Sequence, residues 1–238
     1  NGGGIFVLIY LFFLLIMGVP VMTMEFSLGR ASRKSPAALY QQLEKPGQKW
    51  HIHGYIAVAG NYILMMFYTV VAGWMLKYFV SSASGRFDGL DTTQVEARFK
   101  DMMSDPCAMV LYTFVVIILG FIICSFGLKN GIEKITKVMM SVLIIIMIIL
   151  AVHSLLSPGA MKGVAFYLIP DFSSVAENGI GNTIFAAMSH AFFTLSVGMG
   201  NMEIFGSYLG KERGLLGEGT RIMCVDTFVA LMAGFIII

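Results

Sequence analysis

A glycine-rich stretch at residues 192–201 interrupts an otherwise apolar segment of the chain. It reads Phe-Phe-Thr-Leu-Ser-Val-Gly-Met-Gly-Asn. Each glycine in a helix interior costs about 1 kcal/mol relative to alanine, so Gly198 and Gly200 favour a local break. Unwinding would expose carbonyl oxygens that suit Na⁺ and N–H groups that suit a carboxylate, with the Thr194 and Ser196 hydroxyls beside them. Glycine pairs also serve close helix packing, so the motif alone leaves both interpretations open.

Other polar side chains also lie in or at the ends of apolar segments, where they need a partner. Asp226 is either a cation ligand or a carboxylate that reaches water from near the end of its segment. Tyr68 and His190 have structural alternatives, as a hydrogen bond between helices and as a neutral core histidine. For Glu25 the alternative is an interfacial ion pair with Arg30.

Long hydrophobic segments must position these residues. Of the 238 residues, 57% are hydrophobic and 13% are charged, the net charge is +2, and the mean hydropathy is +0.80. A soluble domain carries about 25% charged residues, so the composition excludes a soluble enzyme, a nucleic-acid binder and a disordered chain. A membrane enzyme is disfavoured because the segments pair no nucleophile with a base and contain no HExxH motif. We expect the lipid bilayer to surround most of the chain.

Six apolar segments approach or exceed the roughly 20 helical residues that a bilayer core needs, and none alternates as barrel strands do. The predicted fold is an all-α membrane protein with six transmembrane helices, one of them, at about 182–209, broken mid-membrane. The spans are about 4–29, 53–80, 106–128, 132–157, 180–209 and 215–238, with outer loops at 81–105 and 158–179. Residues 1–238 are interpreted as a partial transmembrane domain from the middle of a longer membrane protein, because the chain opens without Met and closes in an apolar run.

Basic residues are distributed unevenly between the two sides of these spans. Segments 30–52, 128–137 and 210–221 carry eleven Lys and Arg, whereas the two outer loops carry four. The positive-inside rule therefore predicts that the side with the eleven basic residues is cytoplasmic.

Motifs in order along almost the whole chain resemble those of the neurotransmitter:sodium symporter family, specifically its bacterial amino-acid members. The motifs are Asn1-Gly-Gly-Gly-Ile-Phe6, Gly18-Val-Pro20 with Met24-Glu-Phe-Ser-Leu-Gly-Arg30, Tyr68 through Trp74, Gly131 through Met140, Tyr167-Leu-Ile-Pro-Asp-Phe-Ser173, and Phe192 through Ser196 with Gly198-Met-Gly200 and Gly206-Ser-Tyr-Leu209. The resemblance implies helices two to seven of a LeuT-type fold, with the family's first helix before Asn1 and its eighth after Ile238. It implies sodium-coupled uptake of neutral, hydrophobic or aromatic amino acids by alternating access, in the cell's inner (plasma) membrane.

The resemblance also implies roles for individual residues. Tyr68 is similar to the tyrosine that hydrogen-bonds the substrate carboxylate, and Phe193 to the aromatic lid over the pocket. Thr194 and Asp226 match ligands of the first sodium site, although the family usually has Asn at position 226. Thr194 is implied at the substrate as well, and the remaining pocket residues implied are Leu64, Ser196, Gly198, Met199 and Gly200.

Three further residues have implied structural or gating roles. Glu25 matches a buried glutamate that braces the unwound segment through backbone N–H groups. Tyr10 and His190 fall where animal members bind chloride, and position 190 is usually Gln. We expect Asp226 to supply the negative charge there, because an anion beside Na⁺ in a low dielectric is worth several kcal/mol. Chloride is then not required. Glu203, just after the glycine-rich stretch, has no assigned role.

Two alternatives remain open for the function. The same fold could serve another small solute, such as an osmolyte or an amine, or a membrane sensor that does not transport. Intact hydroxyls and glycines at 194–200 disfavour the sensor. The sequence does not set the oligomeric state.

Overall fold

The computed structural model describes residues 3–157, 160–170 and 179–237. All regular elements in these ranges are helices, which confirms the predicted all-α class. They are α1 (Gly4–Phe13), α2 (Val19–Ser32), α3 (Pro36–Leu43), α4 (His51–Ala83), α5 (Thr92–Ser104), α6 (Pro106–Ser125), α7 (Lys134–Leu156), α8 (Ala160–Leu168), α9 (Ile180–Thr194), α10 (Asn201–Tyr208) and α11 (Leu215–Ile237). Single π turns at Leu14–Gly18 and Leu128–Glu133 join α1 to α2 and precede α7.

Five continuous helical stretches among the described residues are long and apolar enough to cross a membrane. They are Gly4–Ser32, His51–Ala83, Pro106–Ser125, Gly131–Leu156 and Leu215–Ile237. The sixth predicted span consists of α9, with 15 residues, and α10, with 8 residues. The predicted break is therefore confirmed, because neither half spans the roughly 20 residues of a bilayer core by itself.

Parts of the predicted loops and motifs lie outside the described residues. These are residues 158–159 and 171–178 of the predicted outer loop 158–179, and with them the end of the motif at 167–173. Residues 1, 2 and 238 lie outside as well. The other predicted outer loop, 81–105, contains helix α5.

The chain divides into two compact units, Asn1–Gly60 with Val142–Ile238, and Asn61–Ser141. In the first unit α1 packs on α9, and α2 packs on both α10 and α11. The first span therefore packs against both halves of the broken helix. Buried side chains from these elements form the core: Tyr10, Leu14, Val19, Met22, Phe26, Ala187, Ala191, Leu195, Val197, Met202 and Met223.

The π turn in the first span packs against the start of the break. Gly18 leaves room for Leu195, because a Cβ at Gly18 would lie 2.5 Å from Leu195 Cδ1. Pro20 has no N–H to complete the helical ladder, and such a gap is a common cause of local irregularity. The two irregular backbones therefore lie together, with Leu195 only 2% exposed.

Two glycines allow α2 and α10 to approach at backbone distance. A Cβ at Gly206 would lie 2.5 Å from the Phe26 carbonyl oxygen, and a Cβ at Gly29 would collide with the Glu203 carbonyl oxygen. Small residues at such crossings let membrane helices pack closely. The second half of the broken helix, α10, is thereby fixed to the first span.

In the second unit, a half-buried lysine connects the C-terminal part of α4 to the end of α5. Lys77 Nζ donates to the Met102 carbonyl oxygen at 2.8 Å and lies 3.6 Å from Asp105 Oδ2. The Ala108 N–H and then Lys77 lower the pKa of Asp105. The carboxylate thus supports this junction above its ordinary pKa, and its contribution is lost as the pH falls through the lowered value.

Candidate functional site

The break between α9 and α10 is a run of turns with three residues in left-handed conformations. Ser196, Gly198 and Gly200 have φ values of 52°, 87° and 76°. The Ser196 and Val197 N–H groups donate back to the carbonyls of Phe193 and Phe192, at 3.1 and 3.3 Å. The regular helical ladder is lost over six residues, so backbone polar groups at this depth need other partners.

Glu25 supplies one of those partners from α2. The Gly198 N–H donates to its Oε1, and the carboxylate also faces the N–H of Met202. The Glu25 side chain is buried, at 7% exposure. The alternative pairing with Arg30 is wrong, because the Arg30 guanidinium donates to the Arg213 carbonyl oxygen at 2.8 Å instead.

We expect Glu25→Ala to destabilise the full-length protein by about 2 kcal/mol, because a buried N–H loses its acceptor. Glu25→Gln keeps an acceptor oxygen and should cost less. Thermal unfolding checks this, with Glu96→Ala on the exposed face of α5 as the control, for which we expect a change within about 0.5 kcal/mol. If both Glu25 variants unfold at the same temperature as the control, the contact between Glu25 and the Gly198 N–H does not stabilise the protein.

Oxygen atoms from α1, α9 and α11 come together beside the end of α9. The Tyr10 hydroxyl lies near the Thr194 and Thr227 hydroxyls and the Asp226 carboxylate. Tyr10 Oη, Asp226 Oδ2 and Thr227 Oγ1 are buried and reach no partner with hydrogen-bond geometry among the described residues. Orphaned oxygens with one negative charge are the donor set that a hard monovalent cation prefers. Thr227 was missed from the sequence, although its hydroxyl follows Asp226 directly within an apolar segment.

His190 and the pocket residues have more open surroundings. The His190 ring is exposed and lies against the Tyr10 ring, with centroids 5.3 Å apart. Phe193 is 48% exposed. In the break, Ser196 and Met199 are half-buried, Gly198 is exposed and Gly200 is buried.

Tyr68 and Leu64 lie on α4 within the second unit, where Tyr68 is 42% exposed and Leu64 is half-buried. The Phe67 ring packs edge-on against the Tyr68 ring, with centroids 5.8 Å apart. The structure therefore brings Tyr10, Thr194 and Asp226 together in the first unit, whereas Tyr68 belongs to the second unit.

A second missed residue, Glu203, is buried below the break with only 1% of its surface exposed. The Tyr40 hydroxyl of α3 donates to its Oε1 at 2.5 Å. Burial first, and then the neighbouring Glu203, raise the pKa of Tyr40, so this hydroxyl keeps its proton. Its sequence signal was an acid directly after the break in an apolar segment.

The chain matches known proteins along its whole length. Residues 1–104 and 91–238 match the model of the Sodium:neurotransmitter symporter family. An uncharacterized sodium-dependent transporter of Bacillus subtilis (strain 168), YhdH, is 34% identical over all of this chain and 51% of its own length. The mouse sodium-dependent neutral amino acid transporter B(0)AT2 is 22% identical over all of this chain and 36% of its own.

A solved structure is similar in fold as well as in sequence. The crystal structure of MhsT in complex with L-phenylalanine has a TM-score of 0.89 and 33% identity, covering 99% of this chain and 53% of that chain. The chain spans about half the length of the first curated relatives it matches.

Proposed function

Because the chain belongs to the sodium:neurotransmitter symporter family, we propose that the protein takes up neutral, hydrophobic or aromatic amino acids by sodium-coupled alternating access. The family is one of transporters and not of enzymes, and this chain is part of a multi-pass membrane protein with a LeuT-type fold. The observation that carries the proposal is the break at 195–200 beside the orphaned oxygens of Tyr10 and Asp226.

In the proposed mechanism, Thr194 and Asp226 hold the co-transported Na⁺. Thr194 ends α9 at the break, so it can offer a hydroxyl and a carbonyl that the helical ladder no longer uses. Asp226 contributes the compensating charge, and Thr227 and Tyr10 complete a polar wall. With a fixed carboxylate at this place, the proposed transport needs no chloride.

Substrate-binding residues are proposed in each unit by itself, at the break in the first unit and on α4 in the second. Tyr68 would donate its hydroxyl to the substrate carboxylate, with Leu64 as an apolar wall and Phe193 as the lid. The rest of the lining is proposed to be Ser196, Gly198, Met199 and Gly200. Tyr68 and Phe193 are both exposed, and the complex of the similar MhsT with L-phenylalanine supports an aromatic substrate.

The charge distribution supports an orientation. We place segments 30–52, 128–137 and 210–221 on the cytoplasmic side of the plasma membrane, because they carry most of the Lys and Arg. In that orientation α1 and α9 lie toward the outside, and α2, α3 and α10 toward the cytoplasm.

The proposal predicts that the full-length protein binds phenylalanine or leucine in Na⁺ but not in K⁺. Tyr68→Phe should weaken that binding about tenfold or more, because a hydrogen bond to a charged group contributes about 1.5–3 kcal/mol. Equilibrium binding of a labelled amino-acid panel measures both effects. Tyr62→Phe is the matched control on α4, where Tyr62 is exposed.

Three outcomes would contradict the proposal. Amino-acid binding that is equally tight in Na⁺ and in K⁺ would contradict sodium coupling. If glycine or a charged amino acid competes best for binding, the proposal of an apolar pocket is contradicted. If the Tyr68→Phe and Tyr62→Phe variants bind the amino acid with equal affinity, Tyr68 does not contact the substrate.

A further inference from the structure

The carboxylate of Glu203 is deeply buried and only partly satisfied. Its Oε1 accepts from Tyr40, its Oε2 has no hydrogen-bond partner, and no Lys or Arg of the described chain lies within ion-pair distance. An ionised carboxylate in such surroundings is costly unless it is paired. The sodium site proposed at Thr194 and Asp226 does not include Glu203.

The titratable groups around Glu203 come from each element packed against it. From α2 comes Glu25, a second buried carboxylate whose charge acts on the same site. From α3 comes Tyr40, and the start of α4 contributes His53, whose ring stands edge-on to Tyr40 with centroids 5.1 Å apart. The N-terminus of α10 offers the equivalent of only about half a positive charge, so it does not balance both acids.

The two carboxylates differ in the partners that they meet. Glu25 accepts from a backbone N–H, which can only donate, so this contact favours the ionised form of Glu25. Glu203 meets a phenol hydroxyl, which can donate to a carboxylate or accept from a carboxylic acid. The contact can therefore persist in both forms of Glu203, although it is stronger when the carboxylate is ionised.

We propose that Glu203 is a proton-binding site when α3 lies over α10, with Tyr40 as its hydrogen-bond partner in both protonation states. A metal ion fits this place poorly. The orphaned buried oxygens here are Glu203 Oε2 and Glu25 Oε2, whereas hard divalent cations take about six or more oxygen ligands.

Helix α3 covers Glu203 and could withdraw from it. Proton binding by Glu203 would then be coupled to the movement of α3. Pro36 of α3 packs closely over Gly200, where a Cβ would lie 2.8 Å from Pro36 Cγ. When α3 withdraws from α10, water reaches Glu203, the ionised form becomes favourable and the proton leaves. The closed arrangement binds the extra proton, so falling pH stabilises it and rising pH favours opening.

The test is the infrared C=O stretch of protonated carboxyl groups in the full-length protein in lipid, recorded from acid to alkaline pH. We expect a band at neutral pH that loses intensity in Glu203→Gln and titrates away with rising pH in the wild type. Glu96→Gln, on the exposed α5, should leave it unchanged. A Glu203→Gln spectrum identical to the wild type at every pH would overturn the proposal.

Tyr40→Phe is a second variant that keeps the ring and its packing. The carboxylate then loses its hydrogen-bond donor, so we expect the midpoint of the band's titration to move up by about one pH unit. An unchanged midpoint would overturn the role of Tyr40 in the site. The measurement uses neither Na⁺ gradients nor amino acids, so its failure would leave the proposed transport function untouched.

Discussion

Replacing Asp226 with asparagine is expected to raise the dissociation constant for Na⁺ about a hundredfold. Asparagine keeps the shape and one oxygen ligand but removes the only formal negative charge of the Tyr10–Thr194–Asp226–Thr227 cluster. Removing one partner of a buried charge pair costs about 2–5 kcal/mol, and each 1.4 kcal/mol is about a factor of ten. Binding of radioactive sodium to the full-length protein measures the constant directly.

Asp88→Asn, an isosteric change at an exposed position between α4 and α5, is the control and should leave sodium binding unchanged. Chloride provides a second readout. Wild-type binding should not respond to it, whereas Asp226→Asn should regain part of its sodium affinity in chloride, because a mobile anion can replace the fixed one. Sodium affinity that is equal in the Asp226 and Asp88 variants would exclude Asp226 as a ligand, and chloride-stimulated binding by the wild type would contradict the internal-anion account.

Gly206→Ala is expected to destabilise the protein by about 3 kcal/mol, because overpacking costs about 1–3 kcal/mol and here the obstacle is backbone. The added Cβ would lie 2.5 Å from the Phe26 carbonyl oxygen and 2.7 Å from its Cα. Neither atom can rotate away, so α10 must move off α2. Gly29→Ala meets the Glu203 carbonyl in the same way and should behave alike.

The matched control is Gly60→Ala on α4, where nothing lies within 4 Å of an added Cβ. That change should be neutral or stabilising by up to about 1 kcal/mol, since alanine is the better helix former. Thermal unfolding of the full-length variants measures the difference. If Gly206→Ala and Gly60→Ala unfold at the same temperature, the α2–α10 crossing is looser than the structure shows.

The helices and the break follow from local features that a single sequence contains. Segment length and hydrophobicity predict the spans, and glycines beside hydroxyls at 194–200 predict the interruption. The π turn at Leu14–Gly18 is harder to predict, because Gly18 and Pro20 permit it while its exact place depends on Leu195, far along the chain.

The partners of buried polar groups were the least predictable part. Glu25 had a plausible neighbour in Arg30 five residues away, yet its contact is Gly198, 173 residues away. Glu203 and Tyr40 are separated by 163 residues, and no local pattern connects them. Such pairs are set by tertiary packing, which brings α3 against the break so that α3 covers Glu203.

The central proposal is that Thr194, where α9 ends at the break, binds sodium together with Asp226. Hydrogen exchange of the amides from 195 to 202, measured in the full-length protein in Na⁺ and in K⁺, tests it most directly. The account predicts slower exchange in Na⁺ for the wild type and equal exchange in the two salts for Asp226→Ala. Equal exchange in both salts for the wild type would contradict it.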